Sequence, residues 1–189
     1  LKAYMIGSNV TFTWSASPSN TADDNVAGYK LVIKTVGDDV TVFSGNVGGT
    51  TNYTFNGVEG QNLYAFVIPI SVVGVEGSAS TASTSVRLLS SNGDFDLDGQ
   101  PNGAEDFAGT DPLNNGSVFK IVFVERIADD FTVQWVSVAG KNYQVWTTTD
   151  LAVPFTPLSG TLTAAGASTS YTDPTATGAR KFYIVKVVP

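Results

Sequence analysis

The sequence has 189 residues, of which 42% are hydrophobic, and this is enough for one large domain or two small ones. The net charge of -7 argues against binding to nucleic acid or to an anionic membrane surface, because both carry negative charge. The absence of Cys and His excludes disulfides, a thiol nucleophile, the usual zinc sites and a Ser-His dyad. The longest apolar run, 63–75, is too short to span a bilayer, so we expect no membrane insertion.

Residues 1–89 show the period-two alternation that is typical of half-buried antiparallel strands. Clusters of turn-forming residues separate the alternating runs, among them 18–25, 37–39 and 57–61. Short strands at this spacing predict a sandwich or a barrel. The residues that we expect to face the core are Val10, Phe12, Trp14, Tyr29, Leu31, Ile33, Tyr53, Phe55, Tyr64, Phe66, Ile68 and Ile70.

The order of the segments VTFTWSAS, VAGYKLVIK, YTFNGVEGQNLYAFVIPIS and GVEGSAS resembles a fibronectin type III domain over about residues 1–89. The resemblance places Trp14 at the core tryptophan of the second strand and Tyr64 at the corner tyrosine of the family. Pro69 departs from the pattern, because proline removes a hydrogen-bond donor from what should be an inner strand. A bulge or an edge position at Pro69 is expected to reconcile the two.

Residues 90–117 change character and read as a linker that is rich in Asp, Asn and Gly. Within it, residues 94–105 have the spacing of an EF-hand calcium loop, in which alternate carboxylates converge on one point and Gly99 permits the sharp turn. Glu105, on a short helical turn expected near 103–108, can close the shell with both oxygens. The predicted calcium ligands are Asp94, Asp96, Asp98, Gln100 through its backbone carbonyl, Asn102 directly or through a water, and Glu105.

The wider segment DFDLDGQPNGAEDFAGTDPLNNGS resembles the bacterial thrombospondin type 3 repeat. A two-helix EF-hand fits less well, because it requires a helix before Asp94 and we expect none there. This resemblance implies the same six ligands. It leaves open whether Asp106 and Asp111 hold a second ion or whether Asp111 caps the turn before Pro112. An empty linker of this composition would be flexible, so we expect calcium to rigidify it and to set the angle between its neighbours.

Residues 118–189 return to alternation and predict a second, smaller sandwich. The run 118–124 is strongly β-prone, and the nearly all-apolar run 182–188 predicts a central strand that is buried on both faces. The segments VQWVSVAGKNYQVWTTTDL, YTDP and RKFYIVKV resemble a C-terminal module at the ends of large exported proteins of Verrucomicrobia and related bacteria. That resemblance implies no activity.

Exposed aromatic side chains are the remaining candidates for binding. Trp14 and Trp135 lie in phase with core residues, whereas Trp146 is out of phase with its neighbours and, with Tyr143, could stack on a sugar ring. The carboxylates outside the loop lie mostly in predicted turns, where Asp is common, and we expect no active site among them.

The sequence therefore predicts an all-β chain of two antiparallel β-sandwiches, the first like fibronectin type III and immunoglobulin domains, joined by a calcium-binding loop. We expect domains at 1–89, 90–117 and 118–189, in a non-catalytic spacer of a secreted or cell-surface bacterial protein that contacts other domains of its parent. One alternative is a carbohydrate-binding accessory region of a secreted polysaccharide-degrading enzyme. Another is a subunit of an extracellular fibre that pairs with copies of itself. The chain begins at Leu1 without an initiator Met, and we expect a mature or excised fragment.

Overall fold

A computed structural model describes residues 3–17, 25–127, 130–175 and 180–189, and within them the chain is all-β apart from one short helix. It divides into two compact units, Leu1–Ser91 and Asn92–Pro189. The segment expected as a separate linker thus belongs almost entirely to the second unit. Most of the predicted turn at 18–25 lies outside the described residues.

The described residues of the first unit form seven strands in two sheets. The larger sheet has the order β1-β7-β6-β3-β4 and the smaller pairs β2 with β5. The strands are β1 (Tyr4–Ile6), β2 (Asn9–Thr13), β3 (Val26–Thr35), β4 (Thr41–Gly48), β5 (Asn52–Asn56), β6 (Asn62–Ser71) and β7 (Val86–Leu89). All neighbours pair antiparallel except β1 and β7, which run parallel. This strand order agrees with the fibronectin type III-like fold expected for the segment.

The core of the first unit draws residues from both sheets, because alternate positions of each strand turn inward. Leu31 and Ile33 of β3 are fully buried, and Trp14 packs against the core just beyond β2, as the alternation predicts. Strand β6 is in the opposite phase from the prediction. Leu63, Ala65 and Val67 form its buried face, and Tyr64, Phe66, Ile68 and Ile70 are half-buried on the other face.

The phase of β6 also corrects the expected role of Tyr64. Its hydroxyl donates a hydrogen bond to the carboxylate of Asp39, and not to upstream backbone as a corner tyrosine does. Both faces of β6 carry large apolar residues, so the sequence pattern alone does not distinguish the core face.

Pro69 lies where the predicted edge position would put it. Its carbonyl accepts a hydrogen bond from the Gly77 amide at 2.9 Å, so its missing N–H also points toward the irregular segment that follows β6. Ser80 and Ser83 of that segment bond the backbone of Val67 and Ala65 through both their amides and their hydroxyls. The serine segment therefore covers the edge of β6 that a regular strand would otherwise pair.

In the second unit, the residues that the structure describes form one helix and seven strands in two sheets. One sheet has the order β13-β9-β8, and in the other β10 pairs with β11, β12 and β14. The elements are α1 (Asn102–Ala108), β8 (Ile121–Ile127), β9 (Asp130–Val136), β10 (Asn142–Thr148), β11 (Thr156–Pro157), β12 (Leu162–Thr163), β13 (Ser168–Asp173) and β14 (Phe182–Val188). The predicted helical turn is confirmed as α1.

The core of the second unit also draws on both sheets, with Trp135 of β9 and Tyr143 and Val145 of β10 almost fully buried. The prediction that β14 is a central strand buried on both faces is wrong. Within the described residues β14 pairs along its whole length with β10 alone, and its Lys186 is exposed. Its outer apolar positions instead lie beside the Trp146 side of β10, with Ile184 directly opposite Trp146.

Candidate metal centre

The loop 94–99 is curled by its own aspartates. Asp94 accepts hydrogen bonds from the amides of Asp98 at 3.2 Å and Gly99 at 2.9 Å, and Asp98 accepts one from the Gln100 amide at 2.7 Å. Leu97 and Gly99 have φ angles of 62° and 93°, in the left-handed region that glycine adopts readily. The sharp turn predicted at Gly99 is therefore present, and it folds the alternating carboxylates toward one side.

Three carboxylates converge inside this turn. Asp94, Asp96 and Asp98 each offer an oxygen, and the three oxygens lie within 4.8 Å of one another. One carboxylate oxygen of Asp96 and one of Asp98 are buried without a hydrogen-bond partner. Burial and the charge of Asp98 raise the pKa of Asp96. The turn thus concentrates negative charge that the protein itself does not neutralise.

Glu105, on helix α1, lies outside this group of three but close enough for the charges of its aspartates to act on it. Its side chain is 0% exposed, and neither carboxylate oxygen has a hydrogen-bond partner. Burial, together with the charges of Asp96 and Asp98, raises its pKa to about 7. A buried carboxylate without donors is costly unless a cation or a proton neutralises it. The unpartnered oxygens of Asp96, Asp98 and Glu105, with Asp94 beside them, offer the kind of donors that hold a divalent cation.

Helix α1 fixes Glu105 at this position. The helix follows Pro101 and ends at Gly109, whose φ of 84° is the left-handed conformation of a common C-terminal cap. The Gly109 amide donates to the Glu105 carbonyl at 2.7 Å. Lys141 of the β9–β10 turn donates to the Phe107 carbonyl at 2.6 Å, which places a cation at the negative end of the helix.

The remaining predicted ligands are placed differently. Asn102 is 2% exposed, and its side-chain oxygen accepts a hydrogen bond from the Phe95 amide at 3.0 Å. This hydrogen bond braces the loop, and because an amide oxygen has a second lone pair, the role of Asn102 as a ligand, directly or through a water, stays a prediction. The side chain of Gln100 points to Phe119, which leaves only its backbone carbonyl for the predicted seventh-position role.

Asp111 caps a turn, one of the two alternatives that the sequence left open. Its carboxylate accepts a hydrogen bond from the Leu113 amide at 3.1 Å, across Pro112. Neither Asp106 nor Asp111 belongs to a second cluster. The three aspartates of the turn are the one group of three or more potential metal-binding side chains in the part of the chain that the structure describes.

The proposed sugar-stacking pair does not form a platform. Tyr143 is 1% exposed and lies between Trp135 and Phe119, with ring centroids 5.8 and 5.7 Å away, so its assignment as a stacking residue is wrong. Trp146 is half-buried, and the Lys186 ammonium lies 3.5 Å from its ring centroid. That face of the indole is already occupied by a cation.

Asp173 is a buried carboxylate whose environment the sequence did not reveal. It is 0% exposed and bonds Lys181 at 2.5 Å, the Tyr183 hydroxyl at 2.9 Å, and both the amide and hydroxyl of Thr175. Burial alone would raise its pKa, but the hydrogen bonds from Lys181, Thr175 and Tyr183 hold it at about 2. The Asp173 carboxylate is therefore fully hydrogen-bonded and has a structural role. In the sequence, this ion pair was indicated only by the proximity of Asp173 in YTDP to Lys181 in RKFY.

Comparison with known proteins identifies no family. The sequence matches no protein-family model and no curated protein. Among solved structures, the FN1–FN3 domains of chicken CNTN1 align with 100% of this chain at 11% identity and a TM-score of 0.40. The chain covers 57% of that protein's length. A "putative carbohydrate binding protein" from Bacteroides uniformis aligns with 97% of this chain and 79% of its own length, at 13% identity and a TM-score of 0.20.

Neither structural similarity bears on what this chain binds, because both identities and both TM-scores are low. No helix within the described ranges combines the length and the apolar character that crossing a membrane requires.

Proposed function

We propose that this chain is a non-catalytic structural region of a secreted or cell-surface protein, and that the loop 94–105 binds one calcium ion. The observation that carries the proposal is Glu105. Its carboxylate is fully buried and neither oxygen has a partner in hydrogen-bonding geometry. Burial and the charges of Asp96, Asp98 and Asp94 raise its pKa, and the neighbouring Thr110 side chain opposes that rise only in part. Buried negative charge of this kind is costly unless it is neutralised, and a bound cation neutralises all of these carboxylates together.

The donor set favours calcium over other metals. All side chains at the site offer carboxylate oxygens, and the chain contains no His or Cys to select zinc or copper. Calcium accepts six to eight oxygens in flexible geometry, whereas magnesium prefers a strict octahedron and retains several waters. Three aspartates, Glu105 and the Gln100 carbonyl supply at least five oxygens, and water completes the shell. Extracellular modules bind calcium with Kd values of roughly 10⁻⁴–10⁻³ M, which suits a secreted protein.

The environments of the other polar groups support a structural role. Asp173, the other fully buried carboxylate that the structure describes, is saturated with donors and has none of the exposure that a general acid or base needs. Two cavities, of about 250 and 240 Å³, are lined mainly by apolar, Ser and Thr side chains and contain no carboxylate. They lack the convergent titratable groups that mark an active site.

The proposal is tested by calorimetric titration of the whole 189-residue chain with calcium. We expect one ion per chain and, for Glu105→Gln, a loss of affinity at least as large as the 10–100-fold that removing an outer partner of a metal site typically costs. Glu125→Gln is the matched control, because Glu125 is an exposed carboxylate on β8. The absence of binding at 10 mM calcium, or an equal effect of both substitutions, would contradict the proposal.

A further inference from the structure

We infer that ion binding in the loop is coupled to the β core of the second unit, and that Gln100 is the positioning residue that transmits the coupling. The inference rests on the proposed function and adds that calcium binding stabilises the β core of the second unit as well as the loop. The loop is joined to the sheets of its own unit by two separate attachments. One runs through the side chain of Gln100 and the other through the end of helix α1.

The first attachment, which we call the Gln100 clamp, is a pair of hydrogen bonds between the side chain of Gln100 and the backbone of Phe119. The Gln100 side-chain amide donates to the Phe119 carbonyl at 2.7 Å, and its oxygen accepts from the Phe119 amide at 3.3 Å. This pattern imitates one bridge of a β-ladder, with a glutamine in place of a strand. The backbone amide of Gln100 donates a hydrogen bond to the Asp98 carboxylate at 2.7 Å. Gln100 therefore contacts the acidic cluster with its backbone and the β unit with its side chain.

Phe119 carries the connection into the core. Its ring stacks on Tyr143 with centroids 5.7 Å apart and an interplanar angle of 30°. Tyr143 is almost fully buried, packs against Trp135, and accepts a hydrogen bond from the Val138 amide at 2.9 Å. Only two contacts, Gln100 to Phe119 and Phe119 to Tyr143, thus separate the calcium loop from the largest core side chains of the unit.

The second attachment fixes the other end of the loop. Lys141 bonds the Phe107 carbonyl, and a Cβ at Gly109 would come within 2.9 Å of the Lys141 side chain and 3.4 Å of Val138. The helix end therefore lies directly on the β9–β10 turn. Glu105 is held between this contact and the Gln100 clamp. A cation that draws Glu105 and the three aspartates together should tighten both attachments.

The expected consequence is that the loop and the second core open together. If they form one cooperative unit, calcium slows the opening of amides in β9 and β10, far from any ligand, by the factor 1 + [Ca²⁺]/Kd. If the loop opens by itself, calcium protects only amides near residues 94–105. The clamp is therefore expected to decide whether calcium acts locally or on the whole unit.

Hydrogen exchange of the whole chain, with and without calcium, tests this inference. Each variant is measured at a free calcium concentration of 100 times its own Kd, so that differences in affinity cancel. For the native chain we expect the amides of Val133, Trp135 and Val145 to exchange about 100-fold more slowly with calcium. For Gln100→Ala, and for the isosteric Gln100→Met, we expect the effect to fall to roughly tenfold or less, because the loop then opens without the core.

Gln144→Ala is the matched control. Gln144 lies on β10 and bonds Ser159 and Trp146, so its removal costs comparable hydrogen bonds without touching the loop. It is expected to retain the full calcium effect. The inference is overturned, while the calcium site stands, if calcium binds but leaves the β9 and β10 amides unchanged. It is also overturned if the Gln100 and Gln144 variants behave alike. Failure of the native chain to bind calcium would instead remove the proposed function.

Discussion

Among the described residues of the second unit, two carboxylates are fully buried, those of Asp173 and Glu105, and their surroundings are opposite. Asp173 accepts hydrogen bonds from Lys181, Tyr183 and Thr175, and its pKa is lowered to about 2. The carboxylate of Glu105 has no hydrogen-bond partner, and burial beside other carboxylates raises its pKa to about 7. The same fold thus completes the environment of one anion and leaves the other incomplete. The contrast is the basis of our proposal that a cation from outside the chain neutralises Glu105.

The largest expected effect follows from breaking the completed site. Asp173→Asn leaves Lys181 without its buried partner, and we expect the free energy of unfolding to fall by about 3–5 kcal/mol, equally with and without calcium. Urea unfolding followed by tryptophan fluorescence measures this change. Asp150→Asn, at an exposed turn residue, is the control and is expected to stay within about 0.5 kcal/mol. Similar losses for the two variants would remove the special status of Asp173.

The contribution of Asp173 to the free energy of unfolding should decrease as the pH is lowered. Because the pKa of folded Asp173 is about 2, below the unfolded value near 3.8, its contribution is fully present above about pH 4. That contribution is roughly 2–3 kcal/mol and is lost as the pH falls through the folded pKa. Unfolding of the native chain and of Asp173→Asn between pH 5 and pH 2 is the measurement. The difference in stability between the two should shrink over that range, and a constant difference would contradict the assignment.

The incomplete site should respond to mutation with a sign that depends on calcium. Without calcium, Glu105→Gln removes an unpartnered buried charge, and we expect the unfolding free energy to rise by about 1–3 kcal/mol. With saturating calcium the order reverses, because the native chain gains binding energy that the variant lacks. Chemical unfolding of both proteins in chelator and in calcium tests the crossover. A Glu105→Gln chain that is less stable than the native chain in chelator would show that the carboxylate is already satisfied.

The smallest expected effect concerns the support of Glu105. Lys141→Met retains the aliphatic stem and removes the ammonium at the end of helix α1, which we expect to cost about 0.3–1 kcal/mol and to be reduced by salt. Thermal unfolding at low and high ionic strength measures it. Lys120→Met, at an exposed residue that precedes β8, is the control and should change stability less. A loss that salt does not alter would assign the effect of Lys141 to packing.

The sharp turn at 94–99, its converging aspartates and helix α1 could be predicted from the sequence because they depend on local spacing. Alternate aspartates, a glycine at the turn and a glutamate seven residues after Asp98 fix their own geometry within a dozen residues. The strands of the first unit followed from period-two alternation for the same reason. The inner face of β3 was predicted correctly because Lys30 and Lys34 both lie on the opposite face.

What the sequence did not reveal depends on partners distant along the chain. Strand β6 has apolar residues on both faces, and its core face is set by the opposing sheet and by the serine segment on its edge. The sequence pattern suggested that Tyr143 forms an exposed pair with Trp146, whereas in the fold it packs against Phe119 and Trp135. The Gln100 clamp is a contact between side chain and backbone across 19 residues, and no local pattern encodes it.

A crystal structure of the whole chain grown in 10 mM calcium would show whether an ion sits beside Glu105. We expect one ion with six to eight oxygen ligands at about 2.3–2.6 Å, including both oxygens of Glu105 and one from each of Asp94, Asp96 and Asp98. An ordered loop in which Glu105 bonds only water or protein donors, with no ion beside it, would contradict this expectation.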